Sequence, residues 1–150
     1  MIAITPFLWF DNNAEDAANF YLSIFPDAKK IDELRSNGVG PWPEGALALI
    51  TIELMGQKMT FLNGGPAFKL NEAFSWFISC DTQEEIDHYY NTLLAGGVES
   101  QCGWLKDKFG LSWQVAPKNI SELIRHPNAM KAMMGMKKLD IATLKAAANS

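Results

Sequence analysis

Two segments of the chain repeat one strand-to-helix pattern. Residues 8–25, LWFDNNAEDAANFYLSIF, align with residues 77–94, FISCDTQEEIDHYYNTLL, with an apolar strand, a polar turn and an aromatic pair in the same order. In each copy a helix-capping residue, Asn13 or Thr82, is followed three positions later by an acid, which is the spacing of a capping box. The duplication limits the fold to two copies of a β-α-β module.

The hydrophobic pattern predicts an α+β class with a mixed sheet, because strands and helices alternate but two consecutive strands flank the turn Met55-Gly56. A second pair of similar segments supports the duplication, because residues 56–65 align with residues 110–119. After Pro117 the apolar residues take helical spacing, so a helical tail is predicted. Strands are predicted at 3–10, 28–35, 46–55, 57–63, 73–80, 98–102 and 111–116, and helices at 14–25 and 83–95.

Composition excludes several classes of function. The chain has 150 residues, of which 48% are hydrophobic, and this is enough for one domain with a core. Its net charge is −4 and it has no basic stripe, which argues against nucleic acid as a partner. No apolar run predicts a membrane span and no leader pattern predicts export, so we expect a cytoplasmic protein. Cys80 and Cys102 lack metal-ligand spacing and are expected to be free thiols.

Three short motifs carry a family resemblance: NGGP at 63–66, GWLKD at 103–107 and SWQ at 112–114. With the segments around them they resemble the PhnB-like, 3-demethylubiquinone-9 3-methyltransferase-like branch of the glyoxalase/bleomycin-resistance (vicinal oxygen chelate) superfamily. The resemblance implies one glyoxalase-like domain over 1–150 with paired βαβββ modules, about 1–66 and 67–118, and a tail at 119–150. It also implies sheets that curl round a cleft completed in a homodimer. No glycine-rich turn for S-adenosylmethionine is present.

Members of this superfamily that use a metal take His or Glu ligands from fixed strand positions. Carried onto this sequence, those positions become Pro6, Thr60, Ser75 and Gln114. None of the four supplies an imidazole or a carboxylate, the groups that offset the dehydration of a divalent ion. We therefore predict no metal and no cofactor, unless the alignment slips and an acid such as Glu53 reaches the cleft.

Alternation along the strands predicts which side chains line the cleft, since every second residue faces the same side. A lining of this kind suits a small aromatic or amphipathic ligand, with Lys58 meeting an anion and Trp104 closing over the cleft from a loop. Two alternatives stay open: the apolar residues fill a core while the polar groups satisfy each other, or Trp104 packs against a partner chain. The predicted ligand-binding residues are Leu8, Phe10, Lys58, Thr60, Ser75, Phe77, Trp104 and Gln114.

The pattern favours a metal-independent protein that binds a small molecule in a dimer cleft. The alternative is an enzyme that acts on a small aromatic or anionic metabolite. The predicted lining contains no paired acid and base, so no catalytic residue is assigned. A dimeric scaffold without a ligand is the third possibility.

Overall fold

The computed structural model describes all 150 residues and divides the chain into two compact units, Met1–Leu70 and Asn71–Ser150. Each unit has a four-stranded sheet with the same strand order and a helix between its first two strands, and unit 2 also contains the three helices of the tail. This architecture confirms the predicted α+β class and the paired modules. No helix has both the length and the apolar character needed to cross a bilayer.

Unit 1 has the sheet order β1-β4-β3-β2, with β1 parallel to β4 and the other pairs antiparallel. Unit 2 has the order β5-β8-β7-β6, with β5 parallel to β8. In unit 1 the elements are β1 Phe7–Phe10, α1 Ala14–Ile24, β2 Lys29–Arg35, β3 Leu47–Leu54 and β4 Gln57–Asn63. In unit 2 they are β5 Ser75–Cys80, α2 Gln83–Leu94, β6 Val98–Glu99, β7 Trp104–Lys106 and β8 Ser112–Pro117, followed by α3 Ile120–Leu123, α4 Pro127–Met134 and α5 Ile141–Ala148.

The core of unit 1 forms where α1 packs on the sheet. Ala17 and Ala18 are fully buried, and their small side chains let the helix approach the strands closely. Tyr21 is also fully buried, and its ring meets Phe61 of β4 edge-on with centroids 5.7 Å apart. Burial of one large apolar side chain contributes about 1.5–3 kcal/mol, so these contacts hold the helix in place.

The two helices begin differently, although their sequences are alike. Thr82 forms the predicted capping box: its Oγ1 accepts from the Glu85 amide at 3.2 Å, and Glu85 Oε1 accepts from the Thr82 amide at 3.1 Å. Asn13 occupies the N-cap position of α1, as predicted, and its carbonyl accepts from the Ala17 amide at 3.0 Å, but its side chain makes no capping bond. Asn63, at the end of β4, takes that role: its Oδ1 accepts from the Ala14 amide at 2.9 Å, and its Nδ2 donates to the Leu47 carbonyl at 3.1 Å.

The hairpin predicted at Met55-Gly56 is confirmed. Both residues have positive φ, 48° and 82°, as a two-residue turn between twisted antiparallel strands requires. In unit 2 the corresponding turn, between β7 and β8, is longer and contains Gly110, whose φ is 87°. A separate reversal between β6 and β7 lies at Cys102 and Gly103, where φ is also positive. A Cβ at Gly103 would lie 2.8 Å from the Val115 carbonyl oxygen, so only glycine fits this close approach.

Two predicted strands are much shorter in the structure, and one predicted loop contains a strand. The first begins at Phe7 rather than at residue 3, and the strand predicted over 98–102 is reduced to Val98–Glu99. The segment predicted as a loop around Trp104 contains β7, which pairs with both β6 and β8. The strand is three residues long, so its sequence alone carries too few positions to show alternation.

The helical tail packs on its own unit. A buried cluster joins Ala116 of β8 to the tail, and Met133 and Met136 pack against it. Met134, in contrast, is exposed, so the tail methionines are divided between the core and the surface. Asp140 caps α5 by accepting from the Thr143 amide at 2.8 Å. The remaining buried members of the cluster are Ile120, Leu139 and Leu144.

We predict that Asn63→Ala lowers the free energy of unfolding by about 1–3 kcal/mol, because it leaves the Ala14 amide and the Leu47 carbonyl without partners. Urea denaturation measures the change. Asn13→Ala is the matched control, and its effect should stay within about 0.5 kcal/mol because no side-chain capping bond is lost. Equal losses in the two variants would contradict the assignment of the cap to Asn63.

Candidate functional site

One face of the unit 2 sheet is turned away from α2. The Glu99 carboxylate of β6 accepts a hydrogen bond from the Tyr90 hydroxyl of α2 at 2.8 Å. In the sheet register Glu99 is level with Leu105 of β7, and Leu105 is level with Trp113 of β8. These residues therefore lie on the helix side, and the residues that alternate with them lie on the opposite side. We call this opposite side the open face of unit 2; its side chains include Ser75, Phe77, Trp104, Lys106, Ser112 and Gln114. Beyond Phe77 and Gln114, Ser79 is level with Ala116, which is buried against the helical tail, so the face is covered at that end of β8.

Two rows of neighbouring side chains on the open face of unit 2 each run across the three strands β5, β8 and β7. In the first row Gln114 lies between Phe77 and Trp104. Phe77 is 48% exposed, and Gln114 and Trp104 are half-buried. An amide flanked by two aromatic rings presents apolar contact area together with a donor and an acceptor.

The second row places Ser112 between Ser75 and Lys106. Lys106 forms an ion pair with Glu72, and the hydrogen bond from Lys106 lowers the pKa of the Glu72 carboxyl below its usual value. The two rows are linked, since Gln114 Nε2 donates to Ser75 Oγ at 3.0 Å. Gln114 and Ser75 therefore agree in part with the alternative stated from the sequence, in which neighbouring polar groups of the cleft hydrogen-bond to each other.

Four predicted site residues thus share this face: Ser75, Phe77, Trp104 and Gln114. The position of Trp104 corrects one expectation, because its backbone belongs to β7 and it is not on a loop. The Trp104 ring is held beside Gln114 by strand pairing, so it forms part of the wall of the face and is not a lid.

Unit 1 also has a sheet face turned away from its helix. Phe61 faces α1 through its contact with Tyr21, so the alternate residues Lys58 and Thr60 lie on the other face. The Thr60 hydroxyl lies 2.8 Å from the Thr51 hydroxyl, and the two form a hydrogen bond with each other. Lys58 is exposed.

The structure contradicts the predicted orientation of Leu8 and Phe10. In the parallel pair Leu8 is level with Phe61, and the Phe10 ring meets the Phe61 ring with centroids 4.9 Å apart. Both side chains are therefore buried on the α1 side. Phe7 and Trp9 take the positions level with Thr60 and Leu62, so the alternation in β1 is displaced by one residue.

The four positions at which a metal would be expected do not fit a divalent cation. The side chains of Thr60 and Ser75 are already hydrogen-bonded within their sheets, and Pro6 offers only its backbone. No group of three or more His, Cys, Asp or Glu side chains is placed to hold a metal ion. Glu53 is the acid that a shifted alignment would place in the cleft, and its carboxylate forms an ion pair with the Lys29 ammonium at 3.4 Å.

Cys80 is not an activated nucleophile. Cys80 is buried, and desolvation by burial raises its pKa to about 11. The thiol is therefore protonated at neutral pH, and the thiolate is the reactive form.

Comparison with known proteins places the chain in a family. The model of the 3-demethylubiquinone-9 3-methyltransferase family matches residues 2–116. The PhnB protein from Bacillus cereus is 33% identical over 76% of this chain and 98% of its own, with a TM-score of 0.69. No curated protein matches.

Two further structures share the fold at lower identity. PA1353 from Pseudomonas aeruginosa is 20% identical over 78% of this chain and 98% of its own, with a TM-score of 0.64. The fosfomycin resistance protein FosX from Listeria monocytogenes is 15% identical over 81% of this chain and 94% of its own, with a TM-score of 0.58. The chain therefore belongs to the 3-demethylubiquinone-9 3-methyltransferase family, the PhnB-like branch of the glyoxalase superfamily.

Proposed function

We propose that this chain is a metal-independent small-molecule binding protein and that the open face of unit 2 forms part of the binding surface. The observation that carries the proposal is the row in which Gln114 lies between the exposed Phe77 and the half-buried Trp104. Aromatic side chains left accessible beside a few polar groups are typical of small-molecule sites. The ligand class that suits this row is small and at least partly aromatic.

We also propose that the ligand is held in the cleft of a homodimer. Several large apolar side chains remain exposed in each unit, and association with a second copy of the chain would remove such side chains from water. Closed two-fold dimers are the commonest oligomers. The exposed side chains include Ile2, Ile4, Phe7, Phe68, Phe74 and Phe77.

The alternative, an enzyme acting on a small aromatic or anionic metabolite, requires a general acid, a general base or a nucleophile near the ligand. The open face of unit 2 has hydroxyls, one amide and the ion pair of Lys106 with Glu72. A carboxylate whose pKa is lowered by a lysine is a weak base at neutral pH. The groups present are therefore better suited to holding a molecule than to transforming it.

We expect the protein, purified untagged and without chelator, to contain no stoichiometric zinc, nickel, iron or manganese. The reason is that Thr60, Ser75 and Gln114 offer only neutral oxygens, which do not recover the hydration energy of a divalent ion. Elemental analysis decides this, and chelator should leave the melting temperature unchanged. One metal per chain, lost together with thermal stability, would contradict the proposal.

We expect an aromatic carboxylate that binds to quench tryptophan fluorescence saturably, with most of the signal coming from Trp104 because its indole lies on the open face of unit 2. Trp104→Phe should remove the signal. Trp42→Phe is the control: its indole, in unit 1, donates to the Asn63 carbonyl, so that variant should keep the response. Saturable quenching that survives Trp104→Phe would show that the ligand binds elsewhere.

We expect light scattering at micromolar concentration to give twice the 16.7 kDa mass of the chain. Association buries exposed apolar side chains, and each square ångström removed from water contributes about 25 cal/mol. Phe7→Ser, at an exposed position, should weaken the dimer more than Lys145→Ser, a polar control in α5. A monomer in the unmodified protein at this concentration would contradict the dimer proposal.

A further inference from the structure

The hydroxyl of Ser112 has no hydrogen-bond partner although the residue is only 1% exposed. An unsatisfied buried hydroxyl costs free energy, so native structures rarely retain one without a reason. Ser112 is the first residue of β8, which lies between β5 and β7 on the open face of unit 2. The side chain thus offers an unused donor and acceptor beside the proposed binding surface, and because the hydroxyl is buried, a ligand reaches it only when a neighbouring side chain moves.

The ion pair of Lys106 with Glu72 lies beside this hydroxyl. Lys106 is the β7 residue level with Ser112. Glu72 lies three residues before the start of β5, the strand that flanks β8 on its other side. The pair therefore connects the two strands that flank Ser112. Its side chains are 38% and 62% exposed, and exposed ion pairs contribute little to stability, so the pair opens at low cost.

We propose that Ser112 and Lys106 form a carboxylate-binding site for an aryl-alkyl carboxylic acid, whose carboxylate replaces Glu72 on Lys106 and accepts a hydrogen bond from the Ser112 hydroxyl. The inference rests on the proposed binding function and names its ligand class. The exchange replaces one carboxylate with another, so the ammonium keeps its charge partner. The orphan hydroxyl gains the partner that it lacks, which makes the exchange favourable.

The aromatic row sets the length of the ligand. Phe77 and Gln114 lie two residues further along their strands than Ser75 and Ser112, and two residues of strand span roughly 6.6 Å. A ring on the aromatic row with a carboxylate on the Ser112 row therefore needs a short linker. An acid with two methylenes, 3-phenylpropionate, meets this requirement, whereas benzoate has no linker.

The experiment measures the binding of 3-phenylpropionate, benzoate and the uncharged 3-phenyl-1-propanol by calorimetry. In the unmodified protein 3-phenylpropionate should bind most tightly of the three. Ser112→Ala and Lys106→Met should each weaken its binding about tenfold or more, the size expected of a hydrogen bond to a charged group. Glu72→Gln should strengthen its binding, because the competing carboxylate is gone.

A second ion pair in unit 2 supplies the matched control. Lys118 and Asp81 are 2.8 Å apart with side chains 69% and 65% exposed, at the end of the sheet where α2 begins. Lys118→Met and Asp81→Asn should leave the affinity for 3-phenylpropionate unchanged. A change equal to that in Lys106→Met would show a general effect of surface charge and would overturn the assignment.

Thermal melting without ligand tests the orphan hydroxyl directly. Ser112→Ala should melt at the same temperature as the unmodified protein or higher, because it removes an unsatisfied buried group. A lower melting temperature would show that the hydroxyl has a structural partner, and the inference would be wrong.

The binding results separate the carboxylate site from the proposed binding function. If 3-phenylpropionate and the alcohol bind with equal affinity, and Ser112→Ala changes neither affinity, the carboxylate site is wrong although the binding function stands. If neither compound nor benzoate binds, the proposed binding function is itself contradicted.

Discussion

The open face of unit 2 depends on one buried carboxylate. Asp107 lies in the turn between β7 and β8 and is only 3% exposed. Its Oδ1 accepts from the amides of Phe109 and Leu111 at 2.8 and 3.1 Å, and its Oδ2 accepts from Trp113 Nε1 at 2.8 Å. A buried carboxylate is tolerated only when such donors replace its water. Because these bonds fix the turn to β8, they set the register that places Lys106 beside Ser112.

The two units reach the same strand order by different means. In unit 1 the hairpin between β3 and β4 closes with two residues of positive φ, and no buried charge is needed. In unit 2 the hairpin strands β7 and β8 are shorter than β3 and β4, and the turn between them is held by hydrogen bonds to the Asp107 side chain. A short hairpin makes few ladder bonds, so the side chains have to supply the stability. The unit with the shorter hairpin strands is therefore the one whose open face is fixed by a single polar residue.

Local signals made much of the fold predictable from sequence. The Thr82 capping box, the Met55-Gly56 turn and the helical spacing all act within a few residues. The orientation of β1 was not predictable, because its four residues, Phe-Leu-Trp-Phe, are apolar on both faces and show no alternation. The cap at Asn63 was missed for another reason: it joins residues 49 positions apart, and sequence spacing does not reveal such a contact.

The same distinction separates the site residues that sequence identified from those that it missed. Ser75, Phe77 and Gln114 lie on strands whose parallel pairing keeps a regular alternation, so counting by two placed them on one face. The pairing of Lys106 with Glu72 joins residues 34 positions apart, and it became visible only with the strand order. A buried hydroxyl without a partner is likewise a property of the folded chain, since every serine is satisfied by water when unfolded. The feature that points to a carboxylate ligand therefore arises from packing, while the aromatic row beside it can be read from the sequence.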